Sequence, residues 1–258
     1  MSYKELANYV NEIPEELLDN ILSILQEDSR KNVQQLVKRL NKKKQDSLAE
    51  IDRVKGLYNF DKSFGNYRFV AGVDEVGRGP LAGPIVAAAV ILDLDYISDE
   101  DLILGIKDSK QLASQKRNEL AEIIKKKAVS YSISNIDSND IDNKGIAFCN
   151  NESFKLALNG MNKIPDLVLS DGYPVKGINI KNEYVIKGDS KSASIACASI
   201  LAKVYRDNLM LDYHNEFPNY GFDKNVGYGT KDHIDAINTY GVCKIHRMSF
   251  LKNIYKGI

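Results

Sequence analysis

The sequence predicts an α/β fold: a sheet of five strands flanked by helices, preceded by a small all-α extension. Three observations carry that reading. After residue 66, short apolar runs bounded by Gly, Asp and Pro recur, as strands buried on both faces do. Longer amphipathic stretches separate them. The first 65 residues, by contrast, carry only helical periodicity.

The extension comes first. Pro14-Glu15-Glu16 reads as a helix start with Pro in the first turn, and Leu17, Leu18, Ile21, Leu22 and Leu25 mark its apolar face. A second helix shows Val33, Leu36, Val37 and Leu40 at i, i+3, i+4 and i+7. Residues 1–29 hold seven acids and one Lys; residues 30–56 hold nine Lys or Arg and three acids. Either the two helices pair through opposite charge and dock on the body, or Lys38, Arg39, Lys42, Lys43 and Lys44 touch a phosphate backbone. The chain thus divides into residues 1–65, a helical extension for docking or ligand binding, and residues 66–258, an α/β body whose C-terminal part is helical.

Within the body the expected strands are 67–74, 85–92, 128–136, 166–170 and 183–187. The first three follow closely, as an antiparallel meander would. A helix near 114–127 starts at Ser114 as N-cap and shows Leu120, Ile123 and Ile124 on one face. Another lies near 145–161. The run 166–170 ends at Asp171-Gly172, and 183–187 ends at Gly188-Asp189-Ser190, where Asp189 would cap a helix from Ser190 to about Glu216. Ala193, Ala196, Ala198 and Ala202 make that helix suited to close packing. Residues 225–230 are a Gly-rich loop, and Thr230 caps a last helix that stops at Gly241.

Composition narrows the classes. At 258 residues and 43% apolar, the chain supports one core of about 190 residues plus an accessory part. Lys+Arg and Asp+Glu both number 35, so a nucleic-acid partner is not announced by bulk charge and would need a local basic surface. Cys149, Cys197 and Cys243 lack CxxC spacing and read as reduced thiols, which points to the cytoplasm and away from a zinc site. The N-terminus is polar and acidic, so no secretory leader is expected. No run of about 18 apolar residues occurs, so no membrane span is expected.

The chemistry centres on Tyr67 to Pro80. Its apolar run ends in Asp74-Glu75, and a strand interior has no water for two carboxylates, so the chain must open into a cleft there. Gly77-Arg78-Gly79-Pro80 follows, a turn that lets backbone N–H groups approach a ligand. Asp171 ends another strand and Asp189 stands at a strand-to-helix junction. In a twisted α/β sheet such ends converge, and ligands bind there. A like pair of charges at about 4 Å costs on the order of 4 kcal/mol at an effective dielectric of 20, so four gathered acids call for a cation. With oxygen donors and no nearby His or Cys, that cation is Mg²⁺ or Mn²⁺. Two such ions would activate water on one side and stabilise a leaving oxygen on the other, which is phosphodiester hydrolysis without a covalent intermediate. The blander reading is a set of solvated surface acids. One geometric condition applies: neighbours on a strand face opposite ways, so Asp74 and Glu75 can share a site only if the strand ends or bulges between them.

These residues form a familiar series. Val73-Asp74-Glu75-Val76-Gly77-Arg78-Gly79-Pro80-Leu81-Ala82-Gly83-Pro84 resembles the signature of type 2 ribonucleases H, bacterial ribonuclease HII in particular. Lys107 to Leu112, Ser170-Asp171-Gly172, Gly188-Asp189-Ser190 with Ala193 to Val204, Gly227-Tyr228-Gly229-Thr230 and His246 to Phe250 match further family blocks in order. The resemblance covers residues 66–255. It implies an RNase H-like mixed five-stranded sheet and a metal site of Asp74, Glu75, Asp171 and Asp189. It also implies an endoribonuclease acting on RNA/DNA hybrids and on DNA containing ribonucleotides, cutting on the ribonucleotide's 5′ side. Backbone groups of Gly77, Arg78 and Gly79 would bond the 2′-OH, the group that separates RNA from DNA. Tyr228 would stack on the next deoxyribose, and Ser109, Lys110, Ser190 and Lys191 could hold phosphates. A monomer is expected. Related type HIII enzymes carry Thr where this chain has Arg78, so the match favours HII.

Other readings fit less well. Gly77-x-Gly79 lacks GxGxxG spacing and leads into a strand, unlike a dinucleotide site. No GKS/T run supports a P-loop. A non-catalytic binding module would need one of the acids replaced. His214, His233 and His246 pair with no Ser or Cys nucleophile and are not assigned to catalysis. A type HIII-like or other nuclease of the same fold is the nearest alternative.

Overall fold

The computed structural model describes residues 2–12, 15–252 and 254. The chain forms two compact units, Met1–Arg53 and Val54–Ile258. The first holds α1 (Tyr3–Glu12), α2 (Glu15–Gln26) and the beginning of α3 (Lys31–Lys62). Its core is an apolar seam: Leu6 and Val10 from α1, Leu22 and Leu25 from α2, and Val33, Leu36, Val37 and Leu40 from α3. The sequence reading anticipated two helices here; α1 escaped it because Leu6 and Val10 make only a single i, i+4 repeat. Pro14 lies outside the described residues. Leu17, expected on the apolar face of α2, is exposed, whereas Leu22 and Leu25 are buried.

The second unit begins inside α3, where Val54, Leu57 and Tyr58 are buried. Its sheet comprises β1 (Val70–Val76), β2 (Ile85–Ile91), β3 (Ser130–Ile136), β4 (Leu167–Asp171) and β5 (Lys181–Val185). The spatial order is β3-β2-β1-β4-β5. β1, β2 and β3 pair antiparallel, as their close spacing in sequence implied. β4 joins β1 in parallel and β5 joins β4 in parallel. The sheet is therefore mixed, as expected of the RNase H-like architecture.

Helices cover both faces. Between β2 and β3 comes α4 (Ser114–Lys127), and between β3 and β4 come α5 (Ser138–Lys144) and α6 (Ile146–Asn159). Phe154, Ala157 and Leu158 of α6 bury against Ala71, Val73, Ala87, Ala89, Ile91 and Val168. The long α7 (Ala193–Glu216) covers the other face, with α4 packed against it. Its approach is close enough that a Cβ at Gly72 would lie 2.2 Å from Ile195 N, so only glycine fits that crossing. Beyond α7, α8 (Phe222–Asn225), α9 (Lys231–Tyr240) and α10 (Met248–Leu251) enclose a smaller core of Leu81, Met210, Tyr220, Phe222, Ile237 and Leu251.

Two cap expectations need correction. Ser114 is the first residue of α4 and Ala113 occupies its N-cap position, with no side-chain bond there. Asp189 does not cap α7: Gly188–Ser190 form a separate 3-10 turn, and Ser192 caps the helix by accepting the Ile195 N–H. The extra turn frees Asp189 from capping. Thr230 does cap α9, and that helix stops at Gly241 as expected. Among the described residues, no helix is long and apolar enough to cross a membrane.

Candidate active site

The site forms where β1 and β4 end side by side. Val73 pairs with Ser170, and one further step of that register sets Asp74 level with Asp171. Alternation along the strands turns both toward α7: Val73 packs on the α6 side, and Gly72 meets Ile195 on the other. Asp74 is 7% exposed. Burial pushes its carboxyl well above the usual range, and the charges of Glu75 and Asp171 push the same way. The Ser199 hydroxyl of α7 bonds it and pulls the other way. Ser199 Oγ is in turn 3.0 Å from Ser109 Oγ.

Glu75 occupies the next strand position, and here the sequence reasoning needs amendment. It required the strand to end or bulge between the two acids. Instead β1 runs on without a bulge, pairing Asp74 with Ala88, Glu75 with Ala87 and Val76 with Val86. The two side chains therefore leave the strand on opposite faces. They still act on one another through space. Glu75 is raised by burial and by Asp171, and lowered by Arg78, whose Nη1 lies 3.4 Å from Glu75 Oε1. Asp189, on the 3-10 turn, is raised by burial, then by Asp108 and Asp171. That turn is tied to the site: Gly188 N–H donates to Asp171 Oδ1 at 2.7 Å. Asp74, Glu75, Asp171 and Asp189 thus form one electrostatic neighbourhood, with Asp171 felt by the other three. Among the described residues, no three His, Cys, Asp or Glu side chains stand close enough to grip an ion as placed. Joint coordination requires side-chain rotation, but the donors are all carboxylate oxygens, the set a hard divalent cation prefers.

The turn after β1 is held from behind. Gly77 has φ +95°, and a Cβ there would come within 2.4 Å of Arg206 Nε. Arg247, fully buried, donates through Nη2 to Gly77 O at 2.6 Å, through Nη1 to Arg78 O at 3.0 Å, and through Nε and Nη2 to Gly83 O. Arg206, also buried, donates to Pro84 O, Val226 O and Ala82 O. Burial pushes Arg206 down to about 10, and burial together with the neighbouring Arg206 charge pushes Arg247 down to about 9. These two arginines were not singled out from the sequence.

The other expected contacts fall as follows. The Tyr228 ring is 44% exposed and 3.9 Å from a Cβ built on Gly79, so it stands beside the turn. Lys110 and Lys191 are exposed. Ser190 Oγ donates to Lys187 O at 2.9 Å. Ser109 is buried and faces Ser199, not solvent. On the other side of Arg78, the Tyr173 ring lies 5.4 Å beneath its guanidinium.

Comparison with known proteins identifies the family. The ribonuclease HII family profile matches residues 71–253, and the profile of the ribonuclease HII N-terminal domain matches residues 2–65. The chain belongs to the ribonuclease HII family. It is 58% identical to the ribonuclease HII of Clostridium acetobutylicum over 254 residues, covering 98% of this chain and all of the other. The Clostridium perfringens SM101 ribonuclease HII is 57% identical over 258 residues, covering 98% and 94%. Among solved structures, the ribonuclease H2 of Pyrococcus horikoshii OT3 superposes with a TM-score of 0.60 at 26% identity, covering 70% of this chain and 93% of the other. As a ribonuclease HII family member, the chain is an endoribonuclease.

Proposed function

We propose that this endoribonuclease hydrolyses the RNA strand of RNA/DNA hybrids and cuts on the 5′ side of ribonucleotides embedded in duplex DNA. The observation that carries the reading is the placement of Asp74 level with Asp171 beneath α7, with Glu75 and Asp189 in electrostatic reach and the Gly77–Gly79 turn alongside. Asp74, Glu75, Asp171 and Asp189 would hold two divalent ions, Mg²⁺ or Mn²⁺. When bound, those ions supply an activated water and stabilise the leaving oxygen.

The chain's own residues do the rest. Ser199 orients Asp74 through its hydroxyl. Arg247 and Arg206 fix the turn so that its backbone N–H groups meet the 2′-OH, which DNA lacks. Arg78 balances part of the charge on Glu75. Tyr228 offers its ring to the deoxyribose on the neighbouring nucleotide, while Lys110, Ser190 and Lys191 lie on the rim for phosphates. The catalytic part is residues 66–258, acting as a monomer in the cytoplasm, and the helical residues 1–65 are accessory, with the basic run Lys38, Arg39, Lys42, Lys43 and Lys44 facing a phosphate backbone.

The test is product mapping. A DNA duplex with one ribonucleotide should be nicked at that nucleotide's 5′ phosphodiester, and the all-DNA duplex should stay whole. Cleavage at DNA–DNA linkages, or on the ribonucleotide's 3′ side, would overturn the assignment.

A further inference from the structure

Two histidines with no catalytic assignment lie side by side behind the Tyr228 loop, His233 on α9 and His246 before α10, both buried. Their hydrogen bonds admit one arrangement of protons. His233 Nδ1 is 2.9 Å from Tyr228 O, and a carbonyl only accepts, so Nδ1 carries the proton. A neutral imidazole has one N–H, so His233 Nε2 is bare. It faces His246 Nε2 at 3.1 Å, which must therefore donate. That leaves His246 Nδ1 bare, and it accepts the backbone N–H of Cys243 at 2.9 Å. The Cys243 thiol, 3.1 Å away, can donate to the same atom. Cys243 O lies farther, at 3.3 Å, and would be served only by the opposite tautomer. That tautomer would set His233 Nδ1 and Tyr228 O against each other as two acceptors at 2.9 Å. Every donor thus points the same way, from the Cys243 backbone through two imidazoles to the Tyr228 carbonyl.

The surroundings keep the pair uncharged. Tyr220 packs on His246 with ring centroids 4.9 Å apart, and Phe222 meets His233 edge-on at 5.3 Å. Burial pushes His233 down from the usual imidazole range. Burial, and next the neighbouring His233, push His246 down to about 4. A second proton on His233 would set two N–H groups head to head across 3.1 Å, and one on His246 Nδ1 would face the Cys243 backbone N–H at 2.9 Å.

We propose that His233 and His246 are positioning residues: a directed pair of neutral imidazoles that fixes the Tyr228 peptide and so aims the Tyr228 ring at the nucleic acid. Among the described residues, the His233 bond is the one that ties that carbonyl to a side chain of α9. Tyr228 N–H reaches Asn225 O and Thr230 N–H reaches Tyr228 O, both within the same loop. Gly227 O, one residue earlier, accepts Leu81 N–H at 2.8 Å from the segment after the Gly77–Gly79 turn. The His pair and the turn segment therefore grip the loop from two sides. The inference rests on the reading that Tyr228 contacts substrate.

The experiment compares Tyr228→Ala, His233→Ala, the double variant and His233→Asn on duplex DNA bearing one ribonucleotide. Losing a ring contact of this kind should lower kcat/KM roughly tenfold. His233→Ala should lose a similar factor, and the double variant should be no worse than Tyr228→Ala alone. His233→Asn, whose amide nitrogen can replace Nδ1 as donor to Tyr228 O, should recover most of the activity. Independently of any variant, nitrogen-15 NMR of the unmodified protein should find His233 as the Nδ1–H tautomer and His246 as the Nε2–H tautomer at neutral pH. Wild-type turnover by Tyr228→Ala would remove the role of Tyr228 and this inference with it. A costly Tyr228→Ala with multiplicative losses in the double variant, or the opposite tautomers, would overturn the pair while leaving the role of Tyr228 standing.

Discussion

Asp61 offers a sharp test of how the body is held together. It sits near the end of α3, fully buried, and its Oδ2 accepts the Ser194 N–H at 2.8 Å in the first turn of α7. Its Oδ1 has no hydrogen-bond partner among the described residues. Burial pushes the carboxyl up from 3.8 to about 6, with Ser192 and Ser194 pulling back. The sign follows directly. The fold binds this proton more tightly than the unfolded chain, so the stabilising contribution is complete below about pH 4. It is lost as pH rises through about 6. A shift near two units corresponds to about 3 kcal/mol. Asp61→Asn keeps an oxygen for the Ser194 N–H and cannot ionise. Urea unfolding of both proteins at pH 4 and pH 8 isolates the effect, because other titrating groups contribute equally to each. The variant should match the wild type at pH 4 within about 1 kcal/mol and exceed it by about 2–3 kcal/mol at pH 8, some of the gain being offset by lost attraction to the α7 N-terminus. A variant less stable than the wild type at pH 8 would show that the buried charge is compensated and refute the reasoning.

Other perturbations address the frame of the site. Gly72→Ala would place a Cβ 2.2 Å from the backbone of Ser194 and Ile195, so α7 must shift; thermal melting should show a loss of at least about 1–3 kcal/mol, and an unchanged Tm would contradict the close crossing. Arg247→Lys replaces a planar donor that serves Gly77 O, Arg78 O and Gly83 O with a point charge; it should cost about 2–5 kcal/mol. Amide exchange in residues 77–83 should quicken in that variant, and unaltered exchange would deny Arg247 its hold on the turn.

Much of this architecture was legible because local and global signals agree. Ile85 to Ile91 is apolar throughout, and the strand there is buried along its whole length. Thr230 and Gly241 bracket α9 as a cap and a stop should. The carboxylates could be picked out because each follows an apolar run, where a charge needs a reason. The misses have physical causes. The end of β1 was placed at Asp74, yet pairing with β2 carries the ladder to Val76, and a ladder depends on a partner strand that local pattern does not reveal. Asp189 was given a cap role because Asp is a good N-cap residue; the intervening 3-10 turn hands that role to Ser192. Arg206 and Asp61 drew no reading from the sequence and Arg247 entered only within the His246 to Phe250 block, since burial of a charged group is decided by distant backbone carbonyls and amides.

The central claim is that Asp74, Glu75, Asp171 and Asp189 act together through a divalent cation. The direct measurement is cleavage of a DNA duplex carrying one ribonucleotide by the wild type and by Asp74→Asn, in EDTA and after adding back Mg²⁺ or Mn²⁺. The wild type should be silent in EDTA and recover with either ion, and Asp74→Asn should bind the duplex yet stay silent in every condition. Turnover in EDTA, or restored cleavage by Asp74→Asn, would contradict the account.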